Sequence, residues 1–348
     1  MEDMKQDRLV PDVPVASALI CAYGVLGQFQ NAERMLYAAE SAVKQQRKGD
    51  ASAKPDARLY TEFLIASCRC GRPEVAAAVF ETENFPKTTY TCTAAIKAYG
   101  ECDEWRKGEA LYEQMTNGNS NKAIRATKIT HTAMLSAYEK CGEWRRAKSL
   151  LAKLSAQPGQ NLETHWNVTM SACGKAGEWV ECEKLFNEMK KLGVPRSSVT
   201  FSVLISAYGT ANEFDKANIR FKEMCDLGFT PDDYTFVGLM SAPASSGDLQ
   251  TCLEIKKFMW TKHGVRPTVH VWNECIRAAD ASHNYEQAVS VYQNMIAVNI
   301  EPNYATRELL EKVGKNGVEY YEDKQAAANF GTLVASLVGV AGMMAGRW

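Results

Sequence analysis

The chain has 348 residues, 46% of them apolar and 23% charged, enough to build a large core and too apolar for wholesale disorder. Its formal net charge is −1, from 40 basic and 41 acidic residues, which excludes a uniformly basic nucleic-acid binder but not a basic stripe on one face. Eleven cysteines are scattered without a CxxC pair, which suits small buried side chains in a reducing compartment rather than a disulfide framework.

Residues 1–12 are mixed in charge and lack an apolar stretch, so neither a secretory signal nor a transit peptide is expected there. A periodic pattern begins at residue 13. Alanine recurs at Ala22, Ala66, Ala98, Ala137, Ala172, Ala207, Ala242 and Ala278, at intervals of 44, 32, 39, 35, 35, 35 and 36 residues. Five residues after each alanine stands a helix-ending residue: Gly27, Gly71, Asp103, Gly142, Gly177, Asn212, Gly247 or His283. Two further on the residue is aromatic in six cases, as in Trp105, Trp144 and Trp179, with Pro73 and Leu249 as the exceptions. Ten after the alanine the residue is small, from Ala32 to Ala288, and seventeen after it the last six units carry methionine or leucine.

Each unit reads as two helices. In the clearest, Phe201, Leu204, Ile205 and Tyr208 share one helical face, Asn212 breaks the helix, and Phe214, Ala217, Phe221 and Met224 face inward from a second. Gly228 and Pro231 end it. Thr130, Thr200, Thr235 and Thr306 stand where an N-cap oxygen would open the next first helix. Small residues mark close helix approach, and aromatic and methionine positions fill the seams between units, so all of these are assigned to packing. Pro243 falls inside a first helix and should kink it or loosen its hydrogen bonding.

Segments 199–232, 171–193 and 136–154 resemble pentatricopeptide repeats in period and in their alanine, glycine and methionine positions. The resemblance implies an all-α fold, a right-handed superhelical solenoid of about eight helix-turn-helix repeats of about 35 residues. Units are expected at 13–56, 57–88, 89–127, 128–162, 163–197, 198–232, 233–268 and 269–303, followed by a partial capping repeat and linker at 304–325. The first and third are long. Their extra polar residues, within Ser41–Pro55 and Thr116–Ala126, are expected in loops or helix extensions.

The family resemblance also implies single-stranded RNA binding in a mitochondrion or plastid, about one base per unit, read by the fifth and last residues of each. Carried over, Ser17 with Asp56 and Ser202 with Asp232 resemble guanine-reading pairs, and Asn167 with Ser197 and Asn273 with Asn303 resemble pyrimidine-reading pairs. Thr61 with Thr88 and Thr93 with Thr127 are polar without a clear code. Thr132 with Leu162 and Val237 with Thr268 depart from the pattern. Second residues of the units, which would stack on bases, include Arg58, Tyr90, Ile129, Val199, Tyr234 and His270. Phosphate contacts are expected from Arg69, Lys140 and Lys175, with Glu101 opposing them in the equivalent place.

No catalytic or metal signature stands out, so neither enzyme activity nor a cofactor is expected. Residues 326–346 carry no charge and would span about 31 Å as a helix, matching a bilayer core. With GxxxG spacing at Gly342 and Gly346, they read either as a membrane contact or as a capping helix. The chain is thus expected to bind RNA in transcript processing, stability or translation. The alternative is a non-catalytic scaffold for protein subunits or ribosomal RNA of a large organellar assembly, attached through that apolar helix.

Overall fold

A computed structural model of the chain describes residues 12–46, 56–82, 85–117, 124–156, 162–320 and 330–338. All regular structure among the described residues is helical. The helices come in successive pairs: α1 (Val13–Val25) with α2 (Phe29–Gln46), α3 (Ala57–Arg69) with α4 (Pro73–Thr82), α5 (Thr89–Glu101) with α6 (Trp105–Thr116), and α7 (Lys128–Lys140) with α8 (Trp144–Ser155). Next come α9 (Glu163–Lys175) with α10 (Trp179–Lys191), α11 (Ser198–Thr210) with α12 (Phe214–Asp226), α13 (Asp233–Ser246) with α14 (Leu249–His263), and α15 (Val269–Ala281) with α16 (Tyr285–Ala297). The helix α17 (Tyr304–Tyr320) follows, and 330–338 form a last described helix, α18.

The chain divides into two units, Met1–Ala172 and Cys173–Trp348. In the first, each first helix lies against the next: α1 on α3, α3 on α5 and α5 on α7. The second helices α2, α4 and α6 pack on α3, α5 and α7. In the second unit α11, α13, α15 and α17 stack in the same way, with α10, α12, α14 and α16 bridging to the following first helix. No pair can bury its apolar face alone, so this stacking supplies the core.

Each pair turns on a left-handed residue. Gly27, Gly71, Gly142, Gly177 and Gly247 have φ of 69–79°, and Asp103, Asn212 and His283 adopt the same conformation at 61°, 61° and 57°. The second helix opens two residues later, on Phe29, Pro73, Trp105, Trp144, Trp179, Phe214, Leu249 or Tyr285. Trp105 and Trp179 then meet Tyr138 and Tyr208 of the next first helix, with ring centroids 6.1 and 5.7 Å apart. The register alanines from Ala66 to Ala278 are buried, whereas Ala22, in the first described pair, is exposed. Three of them lie against a glycine of the pair before, Ala66 on Gly24, Ala137 on Gly100 and Ala207 on Gly174: a Cβ built on Gly100 would lie 2.5 Å from the Ala137 Cβ.

Polar clamps tie successive pairs together beside these seams. Tyr138 donates to Glu109 Oε1 at 2.6 Å, and Arg146 donates to the same carboxylate at 2.7 Å. Tyr99 with Glu81 and Lys107 repeats the arrangement one pair earlier. Tyr208 with Glu183 and Arg220 repeats it in the second unit. Hydrogen bonds from Lys107 and Tyr99 outweigh burial and hold the Glu81 carboxyl below its usual range.

Thr130, Thr200, Thr235 and Thr306 are not N-caps. The caps lie three residues earlier, at Thr127, Ser197, Asp232 and Asn303, and the threonines occupy the third helical position. There they close capping boxes: the Thr235 amide donates to Asp232 Oδ1 at 2.9 Å, while the Asp232 amide donates back to Thr235 Oγ1. Helix α13 runs one turn past Pro243, whose carbonyl accepts from the Asp248 amide beyond the Gly247 cap. Helix α2 is a long extension into the first polar insertion, while 47–55 and 118–123 lie outside the described residues.

Residues 321–329 and 339–348 also lie outside the described residues, and with them most of the apolar stretch. What is described of it, α18, packs on α17. Phe330 and Val334 are buried, and Gly314 and Gly317 of α17 leave the space they occupy. No helix among the described residues is long and apolar enough to cross a membrane.

The third position of α9 is His165 instead of threonine. It is 3% exposed, and its ring centroid lies 6.2 Å from that of His131, which shares a 2.7 Å hydrogen bond with the Tyr112 hydroxyl. Burial pushes both imidazoles below their usual value of 6.5, His131 further by its proximity to His165 and His165 further by the Lys128 charge. An unfolded chain takes up these protons near pH 6.5, whereas the folded chain resists them. Stability is therefore full above that value and lost as the pH falls through it. Thermal melts between about pH 8 and pH 5 should show the decline, and His165→Thr should flatten it.

Candidate functional site

The first helices carry the candidate site. Their second residues project into solvent: Tyr90 is 72% exposed, Ile129 66%, Val199 53% and Tyr234 48%, and Arg58 and His270 are exposed as well. An apolar or flat side chain has no folding reason to stand in water at the same place in successive repeats.

One turn further along sit the fifth residues, and in units three, six and eight hydrogen bonds connect them to the last residues of the same units. Every last residue except Leu162 is polar, and Asp56, Thr88, Thr127, Asp232, Thr268 and Asn303 use a side-chain oxygen to cap the next first helix. In unit eight, Asn273 Nδ2 donates to Asn303 Oδ1 at 3.3 Å. In units three and six the two meet through the third-position threonine: Thr93 Oγ1 lies 2.8 Å from Thr130 Oγ1, which lies 3.2 Å from Thr127 Oγ1. Ser202 Oγ lies 2.6 Å from Thr235 Oγ1, which in turn donates to Asp232 Oδ1 at 2.6 Å.

The remaining fifth residues differ in setting. Asn167 is buried; Ser197 is half-buried, and its amide donates to Thr200 Oγ1. Thr61 and Thr132 are half-buried and donate to the carbonyls of Ala57 and Lys128. The Ser17 hydroxyl is 1% exposed and has no hydrogen-bond partner. The residue at the third position opposite it is Leu59, which offers no polar atom. Val237 has no polar side chain to offer.

In the first unit these features converge on a cleft of about 490 Å³ across α3, α5 and α7. Tyr90 and Ile129 line it, with Thr61, Thr93 and Thr132 among the polar groups. Three cations reach it: Arg69, Lys97 and Lys140. Glu101 pairs with Lys140 at 2.8 Å and offsets part of its charge. Lys97, one turn beyond Thr93 and exposed, was missed by the family pattern; its place on the same helix face as Thr93 is the signal that would have found it. Lys175, exposed on α9, does not line this cleft. Among the described residues no group of acidic, histidine or cysteine side chains could hold a metal ion.

The repeat profile "PPR repeat family" matches residues 163–210 and 196–244, "Pentatricopeptide repeat domain" matches 221–280, and "PPR repeat" matches 90–119 and 129–156. The chain belongs to the pentatricopeptide-repeat family. Among solved structures it is similar to the pentatricopeptide repeat protein PPR10 from maize, at 18% identity and a TM-score of 0.54, covering 99% of this chain and 56% of that one. It is also similar to PPR10 in complex with an 18-nt psaJ RNA element, at 18% identity and a TM-score of 0.51, covering 96% and 52%. The pentatricopeptide chain described here thus spans little more than half the length of these structures, and the likeness speaks to the fold. No curated protein sequence matches.

Proposed function

We propose that this pentatricopeptide-repeat chain binds single-stranded RNA along its first helices and acts in transcript processing, stability or translation in a mitochondrion or plastid, without catalysis of its own. The observation that carries the reading is the exposed row of second residues beside polar fifth and last residues. Flat or apolar groups there suit stacking on unpaired bases, and the polar pairs suit their hydrogen-bonding edges. PPR10, similar in fold, has been solved with an RNA element bound.

The hydrogen-bond pattern also favours different bases at different units. In unit six Asp232 can only accept, so the Thr235 proton is directed to it and the Ser202 proton is turned toward Thr235 or the Ser198 carbonyl. That leaves acceptors for a base edge rich in N–H groups, such as guanine. In unit eight the Thr306 amide fixes Asn303 Oδ1 as an acceptor, so its amide nitrogen faces the other way as a donor. A pyrimidine carbonyl suits that arrangement.

A scaffold role is the second reading. It is favoured by Trp260, 49% exposed on α14, and by the exposed Phe258 beside it.

Binding of labelled single-stranded RNA, measured against salt, tests the proposal. With Arg69, Lys97 and the partly compensated Lys140 engaged, the plot of log affinity against log salt should slope at about −1.5 to −2, at about −0.7 per phosphate for single strands. Duplex RNA should bind more weakly. Equal affinity for duplex and single strands, or no binding by a folded protein, would remove the reading.

A further inference from the structure

The third-position threonines have no place in the two-residue reading of the units, yet three of them sit between the two residues that reading uses. We propose that Thr130, Thr235 and Thr306 are positioning residues that set the direction of the hydrogen bonds at the fifth and last residues, and so decide how sharply each unit discriminates bases. The proposal rests on the RNA-binding reading above.

All three threonines are fully buried, and each hydroxyl bridges two repeats. Thr235 Oγ1 donates to Asp232 Oδ1 at 2.6 Å and lies 2.6 Å from Ser202 Oγ. A hydroxyl has one proton, so donation to the carboxylate makes Thr235 an acceptor toward Ser202. The carboxylate thereby orients the serine through the threonine. Thr306 Oγ1 lies 2.8 Å from Asn273 Oδ1 and 2.9 Å from Asn303 Oδ1. Asn303 Oδ1 already accepts from the Thr306 amide and from Asn273 Nδ2, so the one hydroxyl proton is best used on Asn273 Oδ1, which leaves the Asn303 amide nitrogen as the donor for the reading side. Thr130 makes the equivalent bridge from Thr93 to Thr127.

The bridge is missing where Leu59, His165 and Val271 hold the third position, and Thr91, which bonds Thr88, does not reach Thr61, whose hydroxyl donates to the Ala57 carbonyl. Leu59, His165 and Val271 follow the fifth residues Ser17, Thr132 and Val237. Units four and seven already lack a readable pair. Unit one is the informative case: Ser17 with Asp56 has the same two residue types as Ser202 with Asp232. Its serine hydroxyl nevertheless has no partner, and among the described residues Asp56 Oδ1 accepts from the Arg58 amide, at 2.7 Å, and not from a third-position hydroxyl. The same pair of residues should therefore discriminate well in unit six and poorly in unit one.

The test is selection from a randomised single-stranded RNA pool, using the full chain, with base frequencies read at every bound position. Thr235→Val removes the hydroxyl and keeps the shape. It should flatten the preference at one nucleotide, lowering enrichment of the favoured base there about fivefold to tenfold, the effect of losing about one hydrogen bond. Thr306→Val should flatten a nucleotide two positions away, since the units are two apart. Thr235→Ser, which restores the hydroxyl, should keep the wild-type profile. Circular dichroism melts identify a variant that fails to fold, and the other valine variant then carries the test.

A purely structural role would lower affinity equally at all positions while lowering the melting temperature, and that result overturns the proposal. So does an unchanged profile in both valine variants. A wild-type chain that binds RNA without base preference overturns the positioning role and leaves RNA binding standing. A wild-type chain that binds no RNA removes both.

Discussion

Replacing Gly209 with alanine should separate α11 from α13 and cost about 3 kcal/mol of stability, at the upper end of what overpacking usually costs. A Cβ at Gly209 would sit 2.0 Å from the Gly238 carbonyl oxygen and 3.0 Å from the Ser241 Cβ. The obstacle is backbone, so no side-chain rotation relieves it. Gly238 is equally constrained from the other side, since its own Cβ would lie 2.9 Å from the Ser206 Cα. Each repeat is held mainly by its neighbours, so a wedge at this junction should also lower cooperativity. An early transition in thermal or urea unfolding is the expected sign. Gly108→Ala is the control. The nearest atom to a Cβ there is 3.7 Å away, and the equivalent residue in other pairs is often alanine, as at Ala147 and Ala217. That substitution should gain about 0.5–1 kcal/mol by removing a glycine from a helix interior.

The second large effect concerns ligand binding. Tyr90→Ala and Tyr234→Ala should each weaken single-stranded RNA binding by about 1–3 kcal/mol, roughly fivefold to 150-fold, the usual yield of a base stacked on an aromatic ring. Both rings are largely in solvent, so melting temperatures should barely move. Tyr90→Phe keeps the ring and should retain most of the affinity. If alanine and phenylalanine variants bind as tightly as wild type in a direct titration, the exposed row is not a stacking platform.

Much of the architecture is legible in the residues because it depends on size and backbone conformation. Ala137 must be small because α5 lies against it, and Gly142 must turn left-handed, so both leave a mark at fixed spacing. Asp103, Asn212 and His283 hold the same turn without glycine, and the register around them was needed to see it. The second residues were equally readable, since Tyr90 and Ile129 are apolar where a solvated face is expected.

What escaped the sequence are relations between repeats. Thr235 reads as a helix start on its own chain segment. Its bond to Ser202, 33 residues earlier, appears only once α11 and α13 are side by side. The partial neutralisation of Lys140 by Glu101 depends on the same stacking, 39 residues apart. The Ser17 hydroxyl looked equivalent to that of Ser202 because the difference lies in a third residue, Leu59, on another helix.

The most direct test of the central claim is ultraviolet crosslinking of the full chain to single-stranded RNA, with the crosslinked residues mapped by mass spectrometry. RNA bound along the first helices should crosslink at Tyr90, Tyr234 and His270, on three separate repeats. Crosslinks confined to the second helices, for example at Trp260, or none at all despite efficient recovery of folded protein, would contradict the account and favour the scaffold reading.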